Sequence, residues 1–370
     1  MVALATVHAS NAYIVRTYPL IAVTVGGTAG IGASTVRAFA SIVSQTSDSK
    51  GVRVYIVGRN QAAADAIIAD CERSSPRSSG GEFVFVKAQD LSLLKDVDRV
   101  CNEIIEAETE RSNKDGLLGP ARVDFLVLSQ GILTFTPSGT TEGLDHVMSL
   151  DYYSRARFCI QLLPLLTASV LPTGARIVSV LNPRFEGKLV LDDLACRKKE
   201  NLGFMTMSSH MALLKIFFFE NLAKRYEGRI SATHIHPGIV LTGAVDTGKL
   251  PAWFVMMWKW ILEPCLRPWS LSFEECGARI VGYTSPRFPG RAKKGSEHEK
   301  TVELDGERIE VAVAADDVVG GGAYKTKYDG EIIPNKRAYH EARKLGMYER
   351  AWEHTMKVFE DVEKNGMYQG

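Results

Sequence analysis

Three glycines that follow an apolar run are the residues of this sequence best suited to binding a phosphate group. Gly26, Gly30 and Gly32 come directly after Leu20–Val25, whose apolar and β-branched side chains predict a buried strand. Residues 33–40 then have helical character without a breaker. Glycines let the backbone approach a pyrophosphate closely, and a helix N-terminus offers free N–H groups and a positive dipole end. This strand–turn–helix context predicts a dinucleotide-binding loop.

The segments that would position this loop alternate between strands and helices. Such alternation predicts an α/β fold with a Rossmann-type, doubly wound parallel sheet and right-handed crossovers. The predicted strands are Leu20–Val25, 52–57, 83–86, 123–128, Ala175–Val180 and 230–235, with an edge strand in 324–333. We expect a single domain with its core in residues 18–290. Residues 1–19 are expected to lead into the first strand, and residues 291–370 to form a charged insertion and a C-terminal helical extension.

Composition and charge restrict the class of protein. The 370 residues carry a net charge of +1, which gives no reason to expect a nucleic-acid partner. The six cysteines are scattered without a Cys-x-x-Cys pair, so we expect reduced thiols and a cytoplasmic location. No metal is expected, because His234 and His236 share one predicted strand without an obvious third ligand. We expect no secretory signal, because the first residues lack a basic region followed by an apolar core, and no membrane span, because no apolar run reaches the roughly 18 residues that a span needs.

The glycine spacing and three later segments resemble the short-chain dehydrogenase/reductase family. The turn has the form Gly-x-x-x-Gly-x-Gly, Asp90-Leu91 follows the third predicted strand, and residues 237–242 are Pro-Gly-Ile-Val-Leu-Thr. The fourth strand closes with Leu-Ser-Gln-Gly at 128–131, where the family usually has Asn-Asn-Ala-Gly. The resemblance implies a nicotinamide dinucleotide. The implied cofactor-binding residues are Gly26, Thr28, Gly30, Ile31, Gly32, Arg59, Asn60, Asp90, Leu91, Ser129, Gly131, Pro237, Gly238, Val240 and Thr242.

Arg59 indicates which form of the cofactor is expected. Family members that prefer NAD(H) have an acidic residue at the end of the second strand, where this chain has Gly58 followed by Arg59 and Asn60. A carboxylate would repel a 2′-phosphate, whereas a guanidinium can bind it with a planar fork. The cofactor is therefore expected to be NADP(H), with a solvated surface arginine as the alternative for Arg59. Asp90 has a helix cap as its alternative role.

The catalytic residues of the family are replaced in this chain. Members normally use Asn, Ser, Tyr and Lys, with the tyrosine and lysine four residues apart on one helix face. The family's spacing places these four positions, in the same order, at Asp151, Asn182, Ser208 and Ala212. A second register, with Met211 and Lys215 as the pair, keeps a lysine but has no tyrosine. The usual proton donor is missing in either register.

Asp151 is the first candidate for the missing proton chemistry. A carboxyl beside an apolar pocket can have a raised pKa and act as an acid or a base. Arg155 lies one helical turn further on, and a pair with it would lower the pKa of Asp151 and make that residue structural. His210 is the second candidate, but it points about 200° away from Ser208 around the helix, which favours a core or interface histidine. Asn182 and Ser208 can donate or accept hydrogen bonds but are weak acids and bases.

Five motifs resemble one fungal branch of the family: Asn11-Ala12 and residues 25–32, 128–131, 152–155 and 352–355. Members of this branch often act in natural-product pathways. The resemblance implies an NADP(H)-dependent oxidoreductase of fungal secondary metabolism that acts on a small molecule. Such an enzyme would use a proton donor other than tyrosine, or an iminium or activated-alkene substrate. The alternatives are a non-redox isomerase or cyclase with the nucleotide structural or lost, and a catalytically inactive binding module.

Two apolar segments indicate further surfaces. Residues 251–269 are rich in Trp, Met and Leu, and we expect them to cover a pocket for an apolar, ring-bearing ligand, with a membrane or partner contact as the alternative. The helix predicted over 203–226 carries four consecutive apolar residues at 216–219, which cover all sides of a turn. One side faces the sheet, so the others predict a homodimer interface. Coverage by the C-terminal stretch of the same chain, and hence a monomer, is the alternative.

Overall fold

A seven-stranded parallel sheet, with strand order β3-β2-β1-β4-β5-β6-β9, organises the chain. The computed structural model describes residues 2–115, 119–134, 136–243, 250–304 and 306–370. The strands of this sheet are β1 (Leu20–Val25), β2 (Val52–Gly58), β3 (Gly81–Lys87), β4 (Phe125–Leu128), β5 (Ala175–Val180), β6 (Ile230–His236) and β9 (Ala323–Lys327). The strand order reverses between β1 and β4, which is where ligands bind in open sheets of this type. The predicted doubly wound parallel sheet is confirmed.

Helices flank the sheet and enclose a hydrophobic core on each of its faces. Successive residues of β1 alternate between the two cores, with Ile21 and Val23 in one and Leu20 and Ala22 in the other. The helices are α1 (Leu4–Thr17), α2 (Gly30–Gln45), α3 (Gln61–Ser74), α4 (Leu94–Asp115), α5 (His146–Met148), α6 (Ser154–Gln161), α7 (Leu163–Leu166), α8 (Phe204–Arg225), α9 (Ala252–Met257), α10 (Glu263–Leu266), α11 (Phe273–Val281), α12 (Arg337–Lys344) and α13 (Met347–Asn365).

The helical stretch that follows β4 is interrupted at its centre. Between α5 and α6 the chain forms a single π-helical turn, Ser149–Tyr153. Such a turn inserts an extra residue into a helix and changes the direction of the side chains that follow, and it is frequent at functional sites. Asp151 lies in the middle of this π turn. The interruption therefore decides where the first candidate proton donor points.

Both ends of the chain contribute more regular structure than the sequence indicated. The expected lead-in forms α1, which packs against α2 and α11 and buries Val7, Ile14 and Val15. Near the C-terminus, β9 pairs in parallel with β6, so the edge strand predicted within 324–333 is present in the first part of that range. Part of the predicted charged insertion forms an antiparallel hairpin of β7 (Thr301–Leu304) and β8 (Glu307–Glu310). Amphipathic periodicity is weak in α1, so its helical structure depends on tertiary packing.

The apolar block on α8 is covered from within the same chain. Its residues 216–219 are each at most 2% exposed. Phe217 stacks on Tyr339 of α12 with ring centroids 5.1 Å apart, and Phe218 stacks on Trp352 of α13 at 5.5 Å. The C-terminal helices thus occupy the face that was expected to need a second subunit, and the reason for a dimer through α8 does not hold. None of the helices in the described ranges is long and apolar enough to cross a bilayer.

Candidate functional site

The glycine turn between β1 and α2 has a geometry that larger residues could not adopt. Gly26 and Gly30 have positive φ angles of 80° and 50°. A Cβ at Gly32 would lie 2.3 Å from the carbonyl oxygen of Gly26, closer than real Cβ atoms come. The Gly26 and Gly27 N–H groups both donate to the Val57 carbonyl at 3.0 Å, which fixes the turn to the end of β2. The result is a narrow backbone cradle at the N-terminus of a 16-residue helix, which fits a pyrophosphate.

Three other segments of the chain surround this cradle: the end of β2, the end of β4 and the segment after β6. A Cβ at Gly58 would meet the Thr28 side chain at 2.5 Å, so Thr28 lies directly over the end of β2. Thr242 lies over Gly30, with its methyl carbon 3.2 Å from where a Cβ would stand. The Ser129 hydroxyl donates to the Val25 carbonyl at 2.7 Å. The segments predicted to hold the cofactor therefore meet at the carboxyl edge of the sheet.

The residues that follow β2 and β3 have local roles as well. Arg59 is exposed at the end of β2. The Asn60 Oδ1 accepts the Ala63 N–H at 3.1 Å and caps α3, while the Asp90 Oδ1 accepts the Ser92 N–H at 3.0 Å. Because α4 begins at Leu94, this bond closes the turn ahead of the helix and does not supply the helix cap that was the alternative role for Asp90. Leu91 is buried in the core. The Ile31 carbonyl accepts hydrogen bonds from two side-chain hydroxyls that lie one turn further along α2.

The segment after β6 is fixed by its own hydrogen bonds. Gly238, with φ of 77°, donates its N–H to His236 Nδ1 at 3.0 Å. The Thr242 N–H donates to the Val240 carbonyl at 2.8 Å. These bonds explain why a Pro-Gly pair follows β6, since Pro237 ends the strand and glycine allows the left-handed turn. The described residues contain no cluster of three or more side chains suited to hold a metal ion.

Three of the four candidate catalytic residues line one cavity. Asp151 reaches it from the π turn, Asn182 from the end of β5 and Ser208 from α8, and the cavity has a volume of about 380 Å³. Gly131 lies against Asp151, because a Cβ there would be 2.8 Å from the Asp151 Oδ1. Asp151 is the single charged side chain among the described residues that line the cavity. The apolar lining residues are Ile132, Leu133, Pro137, Val147, Leu181, Phe185, Leu202, Phe204, Met207 and Met211.

Asp151 is a buried carboxyl with few partners. It is 4% exposed, and its Oδ1 makes no hydrogen bond within the described part of the chain. The Ile132 N–H donates to the carboxylate, and the nearest guanidinium nitrogen, Arg155 Nη2, is 3.8 Å from Oδ1. Burial raises the pKa of Asp151 to about 6, although Arg155, Lys215 and the Ile132 N–H oppose that rise. The carboxyl can therefore hold a proton close to neutral pH.

Arg155 is held mainly by the ends of the strands and not by Asp151. Its Nη1 donates to the Ser179 hydroxyl at 2.9 Å and to the Val180 carbonyl at 2.8 Å, and its Nη2 donates to the Gln130 carbonyl. These bonds fasten α6 to β4 and β5. The pair with Asp151 that was the alternative exists only as a contact of 3.8 Å, so Arg155 lowers the pKa of that carboxyl without donating a hydrogen bond to its Oδ1.

Asn182 and Ser208 contribute polar atoms to the same cavity. The Asn182 Oδ1 accepts the Arg184 N–H at 3.0 Å, which orients the amide at the end of β5. Ser208 is 7% exposed on the second turn of α8. Neither group can act as a strong acid, but both can orient a substrate oxygen by hydrogen bonding.

The structure places His210 outside this cavity. It is fully buried, its Nε2 accepts the Val190 N–H at 2.9 Å, and its Nδ1 lies 3.1 Å from the Leu194 carbonyl oxygen. Burial lowers the pKa of His210, so the ring is neutral and ties α8 to the preceding loop. The geometry gives no support for the catalytic candidate and agrees with the core histidine that was preferred. His210 is kept out of the cavity because it lies two residues after Ser208 and therefore points to nearly the opposite side of α8.

Two of the branch motifs contact each other across the molecule. The Tyr152 hydroxyl lies 2.6 Å from the Thr355 Oγ1, and the Tyr153 hydroxyl lies 2.7 Å from the His354 Nε2. The π turn that carries Asp151 is thereby fastened to α13. A C-terminal motif with no obvious link to catalysis is thus part of the scaffold that supports the candidate acid.

Comparison with known proteins agrees with this architecture. No model of a known protein family matches the chain. A short-chain dehydrogenase/reductase named SAT2 from the fungus Stachybotrys chartarum is 33% identical, over 98% of each chain. The oxidoreductase AN1596 of Emericella nidulans is 29% identical over 98% of this chain and 99% of its own, and the oxidoreductase andH of Emericella variicolor is 31% identical over 93% and 92%.

A likeness in fold extends to a solved structure. The NADPH-bound carbonyl reductase from chicken fatty liver superposes with a TM-score of 0.52 at 12% identity, over 86% of this chain and all of its own. The chain belongs to the short-chain dehydrogenase/reductase family. The expected class, a reductase or dehydrogenase with fungal relatives, is confirmed by the names of those relatives.

Proposed function

We propose that this protein is an NADP(H)-dependent reductase of an apolar, ring-bearing small molecule, with Asp151 as the proton donor. The observation that carries the proposal is the meeting of Asp151, Asn182 and Ser208 in one apolar cavity. That cavity lies at the same edge of the sheet as the glycine cradle, since Gly131 follows β4 and contacts Asp151 while Ser129 contacts β1. A hydride source and a proton source would therefore stand side by side.

The cradle and the segments around it would hold the cofactor. Gly26, Gly30 and Gly32 fit the pyrophosphate, and Arg59 is free to reach a 2′-phosphate from the end of β2. When bound, a reduced nicotinamide supplies the hydride. Thr28 and Thr242 lie beside the glycine turn, which supports their proposed role in holding the cofactor.

The charges behind Asp151 favour one of its two conceivable roles. An ionised Asp151 would stabilise an iminium cation only weakly, because the positive charge of Arg155, 3.8 Å from Oδ1, already offsets the negative charge of the carboxylate. A protonated Asp151 instead donates its O–H proton to the atom that becomes negative when hydride arrives. The O–H bond of Asp151 breaks, a bond from that proton to the substrate forms, and the new carboxylate is stabilised by Arg155. We therefore favour a carbonyl or an activated alkene as the reducible group.

The cavity supports an apolar substrate with a single polar end. Its volume of about 380 Å³ falls within the range of pockets that enclose drug-sized ligands. Phe185 and Phe204 meet edge to face with centroids 5.5 Å apart and form part of one wall. A ring system would contact these aromatic and aliphatic side chains while its oxygen faces Asp151, Asn182 and Ser208.

The proposal extends to organisation and location. Because β9 completes the sheet and α13 supports the π turn, we propose that residues 18–290 and 291–370 form one domain. The free cysteines, five of them buried, support a reducing compartment such as the cytoplasm.

The proposal is tested by following the near-ultraviolet absorbance of NADPH with a panel of ring-bearing ketones, enones and cyclic imines. We expect oxidation of NADPH with a ketone or enone, and tighter binding of NADPH than of NADH. Arg59→Ala should weaken NADPH binding by about tenfold or more, the loss of one charge-assisted contact, and leave NADH binding unchanged. Equal affinities of the wild type for NADPH and NADH would exclude the role of Arg59. Product formed without loss of NADPH would instead support the isomerase or cyclase alternative.

A further inference from the structure

We propose that Lys215 is a positioning residue that acts from behind the cavity and sets the proton affinity of the Asp151 carboxyl. The inference rests on the proposed role of Asp151 as proton donor. Lys215 is not among the residues that line the cavity, so it would not contact the substrate. Its effect would be electrostatic, through the charge that it places beside the carboxyl.

The position of Lys215 on α8 brings its amine to this place. Ser208 and Met211 line the cavity, and Lys215 follows them on the same helix face, one turn beyond Met211. Helix α8 packs directly against the π turn that carries Asp151. The Lys215 side chain is 2% exposed, and its Nζ makes no hydrogen bond within the described ranges. A buried amine without a hydrogen bond is costly, so its charge state depends on the groups around it.

The ionisable groups that face Lys215 come from three elements. Asp151 lies on the π turn, Arg155 and Cys159 lie on α6, and His234 lies on β6. Burial and the Arg155 cation lower the pKa of Lys215, whereas Asp151 raises it. Burial keeps Cys159 protonated by raising its pKa, and burial together with the cations of Lys215, Arg155 and Lys325 keeps His234 neutral by lowering its pKa. Asp151 is therefore the carboxylate on which the charge of Lys215 depends.

The other cations of this region already have partners. Arg155 donates to the carbonyls of Gln130 and Val180, and Lys325 is ion-paired with the buried carboxylate of Glu186. The Lys215 Nζ and the Asp151 Oδ1 both lack a hydrogen-bond partner within the described residues, and they belong to two elements, α8 and the π turn, that pack against each other. Arg155 Nε, Gln130 Oε1 and the two ring nitrogens of His234 are unpaired there as well, but none of these groups is a carboxylate. A cation at Lys215 stabilises the carboxylate and so lowers the pH at which Asp151 holds its proton.

The test is a direct titration of the Asp151 carboxyl by carbon-13 NMR of the full-length protein, with the signal assigned by its loss in Asp151→Asn. We expect the wild type to titrate near pH 6, as burial predicts. Lys215→Gln removes the charge and keeps a polar side chain, and it should raise the pKa of Asp151 by about one unit or more. Lys215→Arg keeps the charge and should restore a value close to that of the wild type. Leu214→Met, a neighbouring volume-conserving change on α8, serves as the matched control and should have no effect.

The outcomes separate this inference from the proposed function. A pKa of Asp151 that stays within about 0.3 units in Lys215→Gln, a twofold change in proton affinity, would overturn the role of Lys215. If Lys215→Gln does not fold, Lys215→Met removes the charge with an apolar side chain of similar length and is read against the same expectation. The titration needs no substrate, so it decides the role of Lys215 even if NADPH oxidation is never observed. In an active enzyme, the pH at which kcat/KM falls should move by the same amount as the NMR value.

Discussion

Replacing Asp151 by asparagine is the sharpest test of the proposed chemistry, because it keeps the shape of the side chain and removes its proton. The fold should tolerate the change, since Arg155 retains its bonds to Ser179, Val180 and Gln130. Asp151 is 4% exposed, and an asparagine at this position cannot act as an acid, so the variant lacks the buried proton donor. Losing one buried group that stabilises the transition state costs about 2–4 kcal/mol. We therefore expect kcat/KM to fall roughly 30- to 900-fold.

The pH dependence distinguishes a proton donor from a charge stabiliser. Burial raises the pKa of Asp151 to about 6, so the protonated form prevails below that pH and is lost above it. As a donor, Asp151 makes kcat/KM of the wild type fall about tenfold per pH unit above 6, and Asp151→Asn removes this fall. An activity that rises as the pH passes through 6 would require the ionised carboxylate and would refute the donor role.

The assay measures kcat/KM with NADPH and whichever ketone or enone of the panel is reduced, between pH 5 and pH 9. Asp65→Asn, which neutralises an exposed carboxyl on α3, is the control for a general effect of charge. If Asp151→Asn stays within about threefold of the wild type, under roughly 0.7 kcal/mol, then Asp151 is structural. The proton would then have to come from the substrate or from solvent, because His210 lies outside the cavity.

Two further predictions concern the C-terminal helices and the apolar segment 251–269. Trp352→Ala should lower the free energy of unfolding, measured by urea titration, by about 2–3 kcal/mol, because the indole stacks on α8 and is partly buried. Trp260→Ala is the control: this side chain is 79% exposed, so its removal should change the free energy of unfolding by less than about 0.5 kcal/mol. Equal effects of the two substitutions would mean that α13 does not stabilise α8. The exposed Trp253 and Trp260 are expected to cover the bound substrate, so changing both to serine should raise KM and leave kcat nearly unchanged. Flotation with anionic liposomes that is lost in the same double variant would instead favour the membrane contact.

Much of the cofactor site is determined by the sequence alone. The glycine turn requires a left-handed backbone at Gly26 and Gly30 and the absence of a Cβ at Gly32. Because these requirements concern residues close together in the chain, the spacing of the glycines is enough to predict the turn. The parallel sheet is equally visible, because fully buried strands are continuous apolar runs. The positions of Asp151 and Asn182 could be counted from neighbouring motifs, and the structure brings both to one cavity.

The tertiary structure decided what depends on contacts between distant segments. Arg155 stands one turn from Asp151, which suggested a simple ion pair, but the ends of β4 and β5 take most of its hydrogen bonds. The sequence favoured a second subunit as the cover of the apolar block on α8, and only packing shows that α12 and α13 cover it instead. The surroundings of Lys215 could not be predicted, because the pKa of a buried amine depends on burial and on charges from elements far apart in the chain. Periodicity fixes which face of a helix a residue occupies, whereas the neighbours of that face are determined by how the whole chain packs.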